Sequence, residues 1–142
     1  MRLVDTNVLL YAANARSVHH TDARGWLDAA LSRKEPVGFA WFALVAFVRL
    51  ATNPKVTDPP LSRGAALDIV DAWLGAPSAR ILEPGPQHAE LFREALLAAG
   101  PSANLASDAH LAAIAREHKA IVATFDSDFG QFPGVRWERP RG

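Results

Sequence analysis

Asn104-Leu-Ala-Ser-Asp108-Ala-His110-Leu-Ala-Ala-Ile-Ala-Arg-Glu-His-Lys-Ala-Ile-Val-Ala-Thr124-Phe-Asp126-Ser-Asp128-Phe-Gly-Gln-Phe132 is the stretch whose reading decides the fold. Leu111, Ala112, Ile114 and Ala115 recur at helical spacing, with Arg116, Glu117 and Lys119 turned away or near the end, so a helix is predicted with Asp108 in its first turn. Ile121-Val122-Ala123-Thr124 is a short apolar run, predicted as a buried strand. Asp126-Ser127-Asp128-Phe129 then starts a tight turn. An aspartate thus precedes the helix body, and two more follow the strand.

The chain opens on the same logic. Arg2-Leu3-Val4 reads as a central strand that ends on Asp5, and Val8 to Ala13 as a short helix. In open α/β sheets, ligands sit outside the carboxyl ends of strands. Parallel packing of the two strands would bring Asp5, Asp108, Asp126 and Asp128 to one end of one sheet. Each aspartate has a plainer reading beside this one. Asp5 or Thr6 can cap a helix, Asp108 suits a helix N-terminus, and Asp126 and Asp128 are ordinary turn residues.

Between these ends the pattern alternates. Thr21 or Asp22 can start a helix whose apolar face is Ala23, Trp26, Leu27, Ala30 and Leu31. Val37 to Ala40 is a second strand. Trp41 to Ala51 is a helix apolar almost all round, closed by Thr52-Asn53-Pro54. Its single charge, Arg49, either serves the helix's last carbonyls or contacts a phosphate or carboxylate beside the acidic cluster. Ser62 caps a helix through Leu74 with Gly75 as stop, and Trp73 reads as core. Arg80 to Glu83 is a third strand. Pro86 is expected at a first helical position, and Leu91, Phe92, Ala95, Leu96 and Ala99 form the next apolar face, closed by Gly100. His88 reads as exposed and idle. Val135 to Trp137 is an edge strand, and the tail from Glu138 to Gly142 reads as loose. Strands alternating with helices predict an α/β fold with a parallel or mostly parallel sheet flanked by helices on both faces.

The whole chain, 1–142, reads as one domain. It has no cysteine, which excludes disulfides, thiol catalysis and Cys-ligated zinc. The longest apolar run, Phe39 to Val48, is too short to span a bilayer, and no leader-like h-region opens the chain, so a cytoplasmic protein with no membrane partner is expected. Lys plus Arg and Asp plus Glu are 15 each. This balance argues against a broad basic nucleic-acid face; any such contact must be local, through a few arginines and a metal. Arg16, Arg49 and Arg116 are the candidates.

Clustered carboxylates repel and raise one another's pKa unless a cation joins them. Hard oxygen donors select Mg²⁺ or Mn²⁺, which can activate water and stabilise charge on phosphorus. No Ser-His-Asp order, Walker-type loop or GxGxxG is present. His110 lies two residues after Asp108 and points away from it on a helix.

Val4-Asp5-Thr6-Asn7-Val8-Leu9-Leu10, Asn104 to Ala112, and Thr124 to Phe129 together resemble the PIN-domain signatures, and the chain is similar to VapC toxins, the ribonuclease half of bacterial toxin–antitoxin pairs. The segment Trp41 to Pro54 resembles one branch of that family. The resemblance implies a mostly parallel five-stranded sheet with an acidic pocket at one end. It implies Mg²⁺- or Mn²⁺-dependent cleavage of RNA (tRNA, rRNA or mRNA), a homodimer, and inhibition by a VapB-type antitoxin. By motif, Asp5 and Asp108 are the primary metal ligands, Asp126 completes the pocket, Asp128 is an outer-shell or second-metal ligand, and Thr6 and Asn7 tune the site. Many members carry a Glu in the helix matching Trp41 to Ala51. Here Ala46 stands near its expected place, which implies one well-held ion rather than two. Two other readings compete: a non-catalytic PIN-like module that binds RNA or a partner, and an aspartate-nucleophile phosphatase, whose second Asp is replaced by Asn7.

Overall fold

The computed structural model describes residues 1–101 and 104–142. Five strands, β1 (Arg2–Val4), β2 (Val37–Phe39), β3 (Ala79–Ile81), β4 (Ile121–Ala123) and β5 (Trp137–Glu138), form one sheet in the order β3-β2-β1-β4-β5. Every neighbouring pair is parallel. Six helices connect them: α1 (Thr6–Ala13), α2 (His20–Leu31), α3 (Trp41–Ala51), α4 (Arg63–Gly75), α5 (His88–Ala98) and α6 (Leu105–Glu117). The chain winds outward from β1 through β2 to β3, then returns to the other side of β1 for β4 and β5. The order therefore reverses between β1 and β4, and crevices for ligands open at such switch points, beyond the strands' carboxyl ends.

Strand alternation sends successive side chains to opposite faces. Leu3 packs into one core with Leu111, Ile114, Val122 and Phe129, under α6. Val4 packs into the other, with Val8, Leu27, Phe39, Phe47 and Trp73, under α1 to α4. Trp73 is core, as its spacing predicts, and its ring meets Phe47 edge-on at 4.9 Å between centroids. The three central strands, β2, β1 and β4, are largely buried, as a parallel sheet covered on both faces requires.

Several local expectations fail for identifiable reasons. Helix α5 begins at His88 rather than Pro86, because Gly85 to His88 close a separate turn, with the His88 amide on the Gly85 carbonyl, and the Glu117 carboxylate of α6 accepts the amides of Gly85 and Gln87. Gly75 is the last residue of α4, and Ala76 caps it. The third strand is Ala79–Ile81 and the fifth is Trp137–Glu138, each shifted by a residue or more. The tail is tied down rather than loose. Glu138 pairs with Ala123 as part of β5 and receives Arg2 Nε at 3.2 Å, and the Gly142 amide donates to Asp22 Oδ1 at 3.1 Å. His88 is not idle: its Nε2 lies 2.9 Å from His110 Nδ1.

Candidate active site

Asp5 follows β1 at the switch point. Its backbone N–H continues the ladder, donating to the Ala123 carbonyl of β4 at 3.0 Å. Asp5 also caps α1, with Oδ1 accepting the Thr6 amide at 2.7 Å. Oδ2 accepts the Thr124 hydroxyl at 2.7 Å. Capping and site-building are therefore compatible, because a carboxylate has lone pairs to spare after two such bonds. Asp108 lies in the first turn of α6, where the helix dipole favours an anion. Asp126 follows β4; its Oδ1 accepts the Asp128 amide at 2.9 Å, an Asx turn that opens a short 3-10 helix, Ser127–Gln131.

Asp5, Asp108 and Asp126 line one cavity of about 290 Å³. The other walls come from α1 (Thr6, Asn7, Leu10, Tyr11), from α3 (Phe42, Ala43, Ala46, Arg49, Leu50) and from Asn104, Ser107 and Leu111. Asp128 is exposed and lies outside this lining. Its amide orients Asp126, and its charge is still felt at Asp108. Among the described residues, no three His, Asp or Glu side chains converge tightly enough to ligate one ion between them.

The electrostatics are those of a crowded acidic pocket. Burial pushes the Asp108 carboxyl up to about 7, and the charges of Asp5, Asp126 and Asp128 add to the rise. Burial also raises Asp5, partly opposed by the hydrogen bonds from Thr124 and Thr6. A cation would relieve both, since the cost is like-charge repulsion and lost hydration.

Two residues outside the aspartates hold the pocket together. Thr124 is fully buried. Its Oγ1 donates to Asp5 and accepts from Asn7 Nδ2 at 3.2 Å and from the Asp126 amide at 3.0 Å. Asn7 Oδ1 accepts the Phe125 amide at 3.2 Å, so the Asn7 side chain holds the two residues that follow β4. Thr6 Oγ1 reaches the Ala43 carbonyl at 3.4 Å and joins α1 to α3. Arg16 and Arg116 are not in the pocket lining. Arg16 donates to the Asp58 carbonyl and Arg116 pairs with Glu94 at 2.9 Å. His110 meets His88 and Phe42 instead of Asp108.

The PIN domain family profile matches residues 2–135. The chain is 52% identical over 140 residues to ribonuclease VapC37 of Mycobacterium tuberculosis, covering 99% of this chain and 97% of that one. The chain belongs to the PIN-domain family of VapC ribonucleases. A VapC ribonuclease of Mycobacterium bovis, Mb2897, is 39% identical over 140 residues, 99% of this chain and 95% of the relative. The same PIN fold recurs in solved structures. VapBC2 from Rickettsia felis, bound to a DNA fragment from its promoter, superposes with a TM-score of 0.70 at 14% identity over 98% of each chain. VapC20 of M. tuberculosis, a sarcin–ricin-loop-cleaving toxin, gives 0.68 at 21% identity over 96% of this chain and 99% of that one. Among the described residues of this PIN domain, no helix is long and apolar enough to cross a membrane.

Proposed function

We propose that this chain is the toxin of a toxin–antitoxin pair, an endoribonuclease that hydrolyses RNA phosphodiester bonds with a Mg²⁺ or Mn²⁺ ion held in the Asp5–Asp108–Asp126 pocket. The observation that carries the reading is that three carboxylates from three separate segments line one cavity at the switch point of the sheet. The donor set fits the ion. It is all oxygen, and it is too open for a closed cage. Mg²⁺ suits such a site because it keeps several waters and takes only one or two carboxylates. Asp5 and Asp108 would be the direct ligands, with Asp126 beside them and Asp128 outside.

When bound, the ion supplies a water of lowered pKa and stabilises charge developing on the phosphate. The chain's own part is to prepare that position. Thr124 and the Thr6 amide fix both Asp5 oxygens in direction before any ligand arrives. Such preorganisation leaves little reorganisation to be done during the reaction. Burial and its acidic neighbours hold the Asp108 carboxyl up at about 7 without a cation, and a bound ion would favour its charged form. Leu10, Leu50, Leu111 and Phe42 give the cavity an apolar wall that strengthens the field of the carboxylates.

The substrate is tRNA, rRNA or mRNA, and the protein works in the cytoplasm where those RNAs are. Its protein partners are a VapB-type antitoxin and a second copy of itself. Complexes such as the R. felis VapBC2 pair support the first. The exposed apolar side of α3, with Trp41 and Val45, supports a protein interface there.

The test is cleavage of purified tRNA and ribosomal fragments with Mg²⁺ or Mn²⁺, beside EDTA and Asp108→Asn. Metal-dependent cutting that disappears in both controls is expected. RNA binding with no cleavage under Mn²⁺ would replace the enzyme by a binding module.

A further inference from the structure

Arg49 is the only cationic residue among the described residues that line the acidic pocket. It stands in the last turn of α3, at i+7 from Phe42 and i+3 from Ala46, and all three line the cavity from one helix face. The α3 wall therefore contributes one positive charge and no carboxylate.

Two ordinary uses for this arginine are closed off. The last carbonyls of α3 are already served by other donors. Val48 O accepts Thr52 Oγ1 at 2.8 Å, Leu50 O accepts Thr57 Oγ1 at 3.0 Å, and Ala51 O accepts the Leu61 amide at 2.9 Å. An ion pair is absent too. Among the described residues, the pairs within reach involve Met1, Arg2, Arg24 and Arg116, not Arg49. Its side chain is exposed and borders both this cavity and the groove on the outer side of α3.

We propose that Arg49 holds a phosphate of the bound RNA at the α3 wall of the pocket and is a substrate-binding residue of this nuclease. The proposal rests on the endoribonuclease reading and deepens it. A pocket of three carboxylates repels a polyanion. The protein has no net positive charge to offset that repulsion at long range. The offset must be local, and the planar guanidinium presents paired donors that match two phosphate oxygens. An RNA strand lying across the cavity would have one phosphate against the carboxylate side and another against Arg49.

The experiment measures binding and cleavage separately. Binding of a fluorescein-labelled structured RNA is followed by anisotropy at several salt concentrations, in the Asp108→Asn background so that the RNA survives. Arg49→Gln is expected to weaken binding roughly tenfold, as for a lost charged hydrogen bond. It should also lower the slope of log affinity against log salt by about 0.7 to 1. Arg49→Lys should restore the slope and only part of the affinity, because it keeps charge without the fork. In the otherwise native enzyme, Arg49→Gln should raise KM more than it lowers kcat.

An unchanged salt slope overturns the proposal, whatever happens to affinity, since a merely structural residue would leave the slope intact. Unchanged RNA binding with lost inhibition by an antitoxin overturns it as well, and hands Arg49 to a partner's carboxylate. If the Asp108→Asn protein binds no RNA and the native chain cuts none, the nuclease reading itself falls. Cleavage by the native chain with Arg49 variants indistinguishable from it removes this proposal alone.

Discussion

Thr124 Oγ1 donates a 2.7 Å hydrogen bond to Asp5 Oδ2 across 119 positions of sequence, with both residues buried. This bond ties the carboxyl end of β1 to that of β4 at the point where the sheet reverses order. The same hydroxyl accepts from Asn7 and from the Asp126 amide, so one oxygen directs the Asp5 carboxylate and anchors the backbone of Asp126. Thr124→Val keeps the shape and removes the hydroxyl. It leaves a buried carboxylate oxygen and two donors short of a partner, at a cost of about 1–3 kcal/mol. Urea denaturation should show that loss, and RNA cleavage should fall further than the lost stability explains. Thr124→Ser should recover most of both. Full activity in the Val variant would mean that Asp5 is oriented by other means.

Asp108 gives the pH dependence its sign. Its carboxyl titrates at about 7 in the folded protein, through burial first and then through Asp5, Asp126 and Asp128, against an ordinary value of 3.8. The folded state holds this proton more tightly than the unfolded chain does. The group's contribution to stability is therefore fully present below about pH 4 and is lost as pH rises through about 7. Without divalent metal, melting temperatures should drift down between pH 5 and pH 8, and Asp108→Asn should flatten that drift. Mn²⁺ needs the ionised carboxylate, so its stabilising shift should grow over the same range. Thermal melts with Mn²⁺ or EDTA across these pH values read all three effects. A metal shift independent of pH would remove Asp108 from the ligand set.

The three pocket aspartates were legible because each lies where the topology announces a site: after a central strand, in a helix's first turn, after the next parallel strand. Thr124 was not. A β-branched residue at the end of Ile-Val-Ala reads as one more strand residue, and only the neighbouring strand reveals what its hydroxyl does. Asn7 is named by the family motif, but what its side chain holds is hidden for the same reason, with partners 117 and 118 positions away. The tail from Glu138 read as loose because its polar residues show no period. What orders it is pairing with β4 and the contact of Gly142 with Asp22, both long in sequence. Arg49 had two readings open, and the donors already bonded to the end of α3 weigh against the capping one.

Phe47 connects the core to the pocket. It is fully buried on α3 and packs edge-on against Trp73 of α4. It thereby sets the angle at which Ala46 and Arg49 present themselves. Phe47→Ala should cost about 3–5 kcal/mol through lost burial and the cavity left behind. Phe47→Leu should cost less and leave a folded protein. Denaturant titration measures the first effect. Cleavage by the Leu variant should show KM raised more than kcat is lowered, because the α3 wall shifts while the Asp5–Thr124 bond on the far side stays. An Ala variant as stable as the parent would mean that the two helices pack independently of this ring.

The outer side of α3 makes the last prediction. Trp41 is 51% exposed, Val45 61% and Leu67 of α4 52%, and together with Leu44, Val48 and Val70 they border a largely apolar groove, with Arg49 as its one charged residue among the described residues. Isolated exposed apolar residues are common, whereas a contiguous patch of this kind marks an interface. Val45 points away from the core, so Val45→Glu should leave the melting temperature within a few degrees of the parent. The same change sets a carboxylate in the middle of the patch, within i,i+4 reach of Arg49 on the same groove, and a protein partner would have to desolvate that charge or the pair it forms. Sedimentation velocity should then show the native chain self-associating and the Glu variant shifted towards monomer. Identical sedimentation of the two, with the native chain monomeric at high concentration, would assign this face to a different partner or to none.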